Sequence, residues 1–259
     1  MRIRLVAVAG LLLAGCVSGN KQAMRLRGEC DAGNAASCQE YGRRLMAGEY
    51  VLRDPVAAGK AYSKACEGGV HAGCARLGFL TQNGRGVDRD SVRALALFRQ
   101  ACDGEAMEGC GNLGVLYRRG LGVPKDAPRA VSLFDRACLG GEKVNCAHLG
   151  DMLVAGEGAA RDPARAAAVF GQSCDSTTSA GCLGLGKLLA EGSGVPRNER
   201  RAAQLFEQQC DNENGEACYQ FGQLLAAGRG VAQDVGRAGQ MTRRACRMDY
   251  RPACPRDQQ

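Results

Sequence analysis

The residues of this chain whose number and spacing could do chemistry are its thiols. There are 15 Cys. With Cys16 set aside, the rest fall as Cys30 and Cys38, Cys66 and Cys74, Cys102 and Cys110, Cys138 and Cys146, Cys174 and Cys182, Cys210 and Cys218, and Cys246 and Cys254. Members of a pair are eight residues apart and successive pairs are 36 apart. Such a cysteine content persists as disulfides only in an oxidising compartment, so the chain should be exported. Zinc sites gather ligands at separations of roughly two to four residues, often with His, and only His71 and His148 are present here. Neither a metal nor a cofactor is expected.

The spacing also constrains the elements that carry the thiols. Seven pairs at a fixed period mark a solenoid of repeated supersecondary units. On one continuous helix, residues eight apart lie roughly 12 Å from each other, whereas a disulfide needs Cα atoms within about 7 Å. A bridged pair therefore requires the chain to reverse, and Glu67-Gly68-Gly69 and Leu139-Gly140-Gly141 supply helix-ending glycines between the cysteines. Each pair thus marks a helix, turn, helix corner. Which thiol meets which is formally open at this point.

Downstream of the second Cys in each pair, an apolar residue follows at +3 (Tyr41, Leu77, Leu113, Leu149, Leu185, Phe221) and Gly at +4 (Gly42, Gly78, Gly114, Gly150, Gly186, Gly222). Further apolar residues at +6 or +7 complete a helical period, which defines helix A. Glycine inside a helix costs up to about 1 kcal/mol against Ala, so its recurrence predicts a closely crossing neighbour. Helix A stops at Gly48, Gly84, Gly120, Gly156, Gly192 and Gly228. Asp54, Asp90, Asp126, Asp162, Asn198 and Asp234 then suit the N-cap of a helix B, with Pro55 and Pro163 in its first turn. Helix B carries a recurrent Ala and, four residues on, a ring at Tyr62, Phe98, Phe134, Phe170 and Phe206, with Thr242 breaking the series. These rings are expected as core knobs between helices.

At the N-terminus, Arg2 and Arg4 precede an apolar run from Leu5 to Ala14, too short to span a bilayer permanently, which reads as a signal peptide. It ends in Leu13-Ala14-Gly15-Cys16, which resembles the lipobox of bacterial lipoproteins. That resemblance implies cleavage after residue 15 and acylation of Cys16, with no need of a spanning helix. Loss of Arg2 and Arg4 lowers the formal charge from +7 to +5. The remaining basic residues are scattered, so they read as solvated helix faces and no nucleic-acid partner is expected.

The run Gly181 to Val195, Gly-Cys-x-x-Leu-Gly-x-Leu-Leu-x-x-Gly-x-Gly-Val, followed by Arg-Ala-x-x-Leu-Phe at Arg201 to Phe206, resembles the Sel-like repeat. The paired cysteines further resemble its disulfide-rich branch, the Helicobacter cysteine-rich protein family. The resemblance implies an all-α, right-handed α/α superhelix related to tetratricopeptide repeats, with Cys30–Cys38 through Cys246–Cys254 bridged in sequence. The expected organisation is a signal peptide at 1–15, a lipidated tether at 16–21, and a solenoid at 22–259. Within the solenoid, a half repeat at 22–32 and another from Cys254 would cap six full repeats.

Sel-like repeat proteins generally act as interaction scaffolds, which implies a non-catalytic monomer, lipid-anchored at the envelope, binding a protein or peptide on a concave helix-A surface. Helix-A positions turned from the core, at +1, +2, +5, +8 and +9 from the Cys, hold Arg76, Phe79, Asn112, Val115, Arg118, Arg119, His148, Asp151, Lys187 and Tyr219. These vary within a regular frame, as a recognition surface would, and Phe79 and Tyr219 are expected to be exposed. The cysteine-rich branch also implies a rival, penicillin binding or slow β-lactam hydrolysis. The Ser-x-x-Lys pattern such chemistry uses occurs once, at Ser18-Gly19-Asn20-Lys21, in the expected tether, which could not hold a nucleophile in productive geometry. A purely structural envelope lipoprotein is the third reading.

Overall fold

The computed structural model describes residues 19–174 and 179–254. Cys16, Ser18 and the expected leader lie outside them. The chain divides into two compact units, Met1–Asp126 and Ala127–Gln259. The first holds α1 (19–31), α2 (Ala35–Ala47), α3 (Pro55–Glu67), α4 (His71–Asn83), α5 (Ser91–Asp103) and α6 (Met107–Arg119). The second holds α7 (Ala127–Leu139), α8 (Lys143–Ala155), α9 (Pro163–Gln172), α10 (Cys182–Glu191), α11 (Glu199–Asp211), α12 (Gly215–Ala227) and α13 (Val235–Arg247). There is no strand among the described residues. Even-numbered helices are helix A of the repeat and odd-numbered ones helix B.

Local chemistry sets the helix ends as the sequence predicts. Asp54 accepts hydrogen bonds from the Val56 and Ala57 amides, and Asp90 does the same for Val92 and Arg93. Asp162, Asn198 and Asp234 each accept from the amide three residues on. Such caps are worth about 1 kcal/mol each. Gly48, Gly84, Gly120, Gly156, Gly192 and Gly228 all take the left-handed conformation that ends helix A.

The helix-A glycines receive the helix-B rings. A Cβ on Gly78 would lie 2.8 Å from the Phe98 ring, and one on Gly150 would lie 2.5 Å from Phe170. Gly42 meets Tyr62, and Gly186 meets Phe206, in the same way. Where Thr242 interrupts the series, Gly222 faces Thr242 and Ala238 instead, and a ring is supplied from helix A by the buried Phe221. The recurrent helix-B Ala lets the backbones approach: Ala58, Ala94, Ala130, Ala166 and Ala202 are fully buried.

All seven cysteine pairs are bridged in sequence, Cys30–Cys38, Cys66–Cys74, Cys102–Cys110, Cys138–Cys146, Cys174–Cys182, Cys210–Cys218 and Cys246–Cys254. Their Cα atoms are 4.5 to 4.8 Å apart, across the turn from helix B to helix A. These bridges also pack. Cys30 and Cys38 cluster with Ala65, Cys66 and Cys74 with Ala101, and Cys210 and Cys218 with Ala245. Each of these Ala residues precedes the first cysteine of the next pair, so one corner rests on the next.

Residues 19–31 are helical as α1, with Gly19 under the Tyr50 ring and Ala23 and Leu26 buried. At the other end, Cys254 itself is not helical. A short 3-10 turn, Arg251–Ala253, precedes it, and Cys254 is extended at φ −86° and ψ 147°. Pro255 follows, and a residue before proline is pushed out of the helical region.

Candidate partner-binding site

Helix A of each repeat buries its Cys, +3 and +4 side and turns the opposite side outward. In the first unit α4 and α6 lie side by side, with Phe98 of α5 between and beneath them. A pocket of 390 Å³ opens there, lined by Phe79, Gln82 and Asn83 of α4, Asn112, Val115, Leu116 and Arg119 of α6, and the loop residues Arg89 and Leu121. Four of the ten predicted contact residues, Phe79, Asn112, Val115 and Arg119, therefore converge on one concavity.

Several side chains of the pocket are held in place. Asn83 donates to the Phe79 carbonyl oxygen at 2.7 Å, and Asn112 donates to the Glu108 carbonyl oxygen at 3.0 Å. The Arg85 guanidinium lies 5.7 Å from the centre of the Phe79 ring, a cation–π contact. Phe79 is 37% exposed, a large ring at the rim rather than in the core. No carboxylate lines the pocket. Arg85, Arg89 and Arg119 make no ion pair among the described residues. The buried Oε1 of Gln82 accepts no hydrogen bond.

The other predicted residues are placed differently. Arg76 pairs with Glu108 of α6 at 3.1 Å, and Lys187 pairs with Glu216 of α12. Both tie one helix A to the next. Arg118 is half-buried, and Asp151 is exposed on α8. His148 is half-buried with its ring 5.2 Å from that of Phe134. Tyr219, expected to be exposed, is half-buried, its ring 5.6 Å from that of Tyr250. The segment after α13 covers it, as Met248, Tyr250 and Ala253 join the same cluster. Burial also raises the Tyr250 hydroxyl pKa above its ordinary value.

Arg85 and Arg89 are not among the sequence candidates because they lie in the loop after helix A, and Gln82, although at the outward +8 position from Cys74, is not among the predicted contacts either. A signal for Arg89 exists: the position before the helix-B N-cap pair is basic at Arg53, Arg89, Lys125, Arg161 and Arg197, and Gln only at Gln233. A larger groove, 880 Å³, opens between α1, α2 and α3, but none of the ten residues lines it and its Asp31 and Lys64 neutralise each other at 2.9 Å. No group of His, Cys, Asp and Glu able to hold a metal occurs among the described residues. Of the Ser-x-x-Lys run, Gly19, Asn20 and Lys21 lie in α1, with Lys21 exposed.

Six consecutive stretches match the Sel1 repeat model: residues 35–70, 71–105, 108–142, 146–175, 179–214 and 215–250. The chain belongs to the Sel1 repeat family. Its cysteines make it a disulfide-rich member, and the five bridges from Cys66–Cys74 to Cys210–Cys218 each join consecutive Sel1 repeats. No curated protein sequence matches it. Among solved structures, it is similar to c5321, a protective antigen of uropathogenic Escherichia coli with an SLR fold, at 25% identity and a TM-score of 0.78. That match covers 89% of this chain and 50% of the antigen, so the chain spans half the antigen's length. A Sel1 repeat protein from Oxalobacter formigenes is similar at 22% identity and a TM-score of 0.76, over 92% of this chain and 96% of that one. Cysteine-rich protein B of Helicobacter pylori aligns at 27% identity and a TM-score of 0.39, over 47% of this chain and 87% of that one.

Sel1 repeat proteins generally mediate protein–protein interaction. Seven disulfides place this one in an oxidising, exported environment. No helix among the described residues is long and apolar enough to cross a membrane.

Proposed function

We propose that the chain is a non-catalytic interaction scaffold of the bacterial envelope, held at the membrane by acylation of Cys16 and working as a monomer. Its helix-A surface binds a protein or peptide partner. One observation carries this reading: Phe79, Asn112, Val115 and Arg119, chosen for facing outward, line a single pocket with an exposed ring and uncompensated positive charge. Large aromatic and Arg side chains in pockets are the anchors that dominate binding energy at protein interfaces.

Capture from envelope extract tests the scaffold. The oxidised full chain is compared with a Phe79→Ala variant, whose exposed site should leave the fold intact by circular dichroism. Loss of a defined partner from the variant is the expected result. An identical set of captured proteins would remove the pocket from the reading. Metabolic labelling with a palmitate analogue, in wild type and a Cys16→Ala variant, tests the anchor, and label retained in the variant would refute it.

A further inference from the structure

The chemistry of the pocket narrows the class of partner. Arginine on this face is neutralised where a carboxylate is within reach, as at Arg76 with Glu108. At the pocket the pattern changes. Arg89 and Arg119 line it, Arg85 sits over Phe79, none of them pairs with a carboxylate among the described residues, and no acidic side chain is in the lining. Three guanidiniums gathered without counter-charge raise the local positive potential and stay hydrated until an anion arrives. A guanidinium presents its donors in a planar fork that fits a carboxylate with two parallel hydrogen bonds.

Two further features point to a peptide rather than a free anion. Phe79, Val115, Leu116 and Leu121 give the pocket an apolar wall, which an inorganic ion could not use. The Gln82 Oε1 atom is a buried acceptor without a donor, and a peptide N–H is the group that would satisfy it. A volume of 390 Å³ admits a short chain segment, not a folded domain.

We propose that the pocket between α4 and α6 takes an acidic peptide segment of a protein partner, with a Glu or Asp carboxylate between Arg89 and Arg119 and an apolar side chain against Phe79 and Val115. This rests on the scaffold reading. Neutral and basic peptides are excluded by the arginines, which such a ligand would leave desolvated and unpaired.

Fluorescence polarisation with a short labelled peptide alternating Glu and Leu, titrated with the oxidised full chain, tests the inference. The expected result is saturable binding that weakens with salt, absent for the same peptide with Lys in place of Glu. Arg89→Gln and Arg119→Gln should each weaken it roughly tenfold, the effect of losing one charged hydrogen-bond pair. Both positions are exposed, and unchanged thermal melts confirm that the variants fold. Equal binding of the Lys peptide, or unchanged binding in both variants, would overturn the inference. So would an oligothymidylate probe that competes as well as the peptide, since that would show a general polyanion site. If Phe79→Ala abolishes partner capture from extract while Arg89→Gln and Arg119→Gln do not, the scaffold stands and the acidic specificity falls. If none of the three matters, both fall.

Discussion

The Tyr50 ring lies on Gly19, so close that a Cβ on Gly19 would come within 2.3 Å of the ring. One repeat on, the roles are exchanged. Gly86 stands at the position of Tyr50 and packs on the backbone of Pro55, the counterpart of Gly19, where its own Cβ would come within 2.3 Å. Gly158, Gly194 and Gly230 touch the starts of α7, α9 and α11 in the same manner. The loop after helix A thus always lands on the start of the preceding helix B, but at the first repeat the side chain and the gap sit on opposite partners. Gly19→Val should push Tyr50 aside and loosen α1 alone. Hydrogen exchange would show lost protection over residues 19–31 and unchanged protection beyond α3. Loss spread through the first unit would refute this local reading.

Glycines of similar sequence context should respond in opposite directions. Gly78→Ala drives a methyl into Phe98 and is expected to cost about 1–3 kcal/mol through overpacking. Gly28 lies inside α1 with nothing within 4 Å of a would-be Cβ. Gly28→Ala should therefore stabilise by about 0.5–1 kcal/mol, through helix propensity alone. Urea denaturation of the two variants checks the signs.

The turn from helix B to helix A requires a left-handed residue. Gly69 and Gly141 provide it in two corners, while Glu105 and Glu213 adopt φ of 62° and 63° in two others. A side chain there costs conformational energy that glycine avoids. Glu105→Gly and Glu213→Gly should each stabilise by about 0.5–1 kcal/mol and add together, because the two corners belong to different compact units. A neutral double variant would contradict the argument.

Much of this was legible because each repeat restates it. The caps at Asp54 and Asp90, the stops at Gly48 and Gly84, and the rings at Tyr62 and Phe98 follow from local rules acting at a fixed period. What escaped was non-periodic. Cys254 is drawn out of the helical region before a single Pro255, and Tyr219 is covered by Tyr250 and its neighbours. Gln82 holds the outward +8 position from Cys74, and only the stacking of α4 beside α6 puts it in a pocket, which no window of sequence displays. Arg89 lay in a loop, although its recurrence as a basic residue was visible.

Acid should weaken the first repeat before the core. Glu40 is bound by Arg43 at 2.8 Å and by Arg44 at 3.0 Å, and these guanidiniums hold its pKa down to about 2. A carboxyl held below its unfolded value of 4.5 contributes stability that is complete above that value and fades as pH falls toward about 2. The difference in melting temperature between wild type and Glu40→Gln should therefore shrink across that window. It should be small throughout, since Glu40 is a third exposed. A difference that grew on acidification would reverse the assigned sign.

Removing one bridge tests whether it does more than close a loop. The pair Cys66→Ala and Cys74→Ala should cost about 2.5 kcal/mol from loop closure, plus the packing lost against Ala101. Equilibrium unfolding under oxidising conditions gives the number. A loss under about 1 kcal/mol would show that the corner holds its shape without the bridge.

Because every bridge joins a cysteine to the next one along the chain, the pairing is indifferent to how many units the protein contains. A chain threading into an oxidising space can seal each corner as it arrives, before the following thiols appear, and so avoids the mispairing that interleaved cysteines invite. Gene-level duplication or loss of a 36-residue unit adds or removes two thiols together and orphans none. The length of such a protein is therefore free to drift while its surface is fitted to a partner.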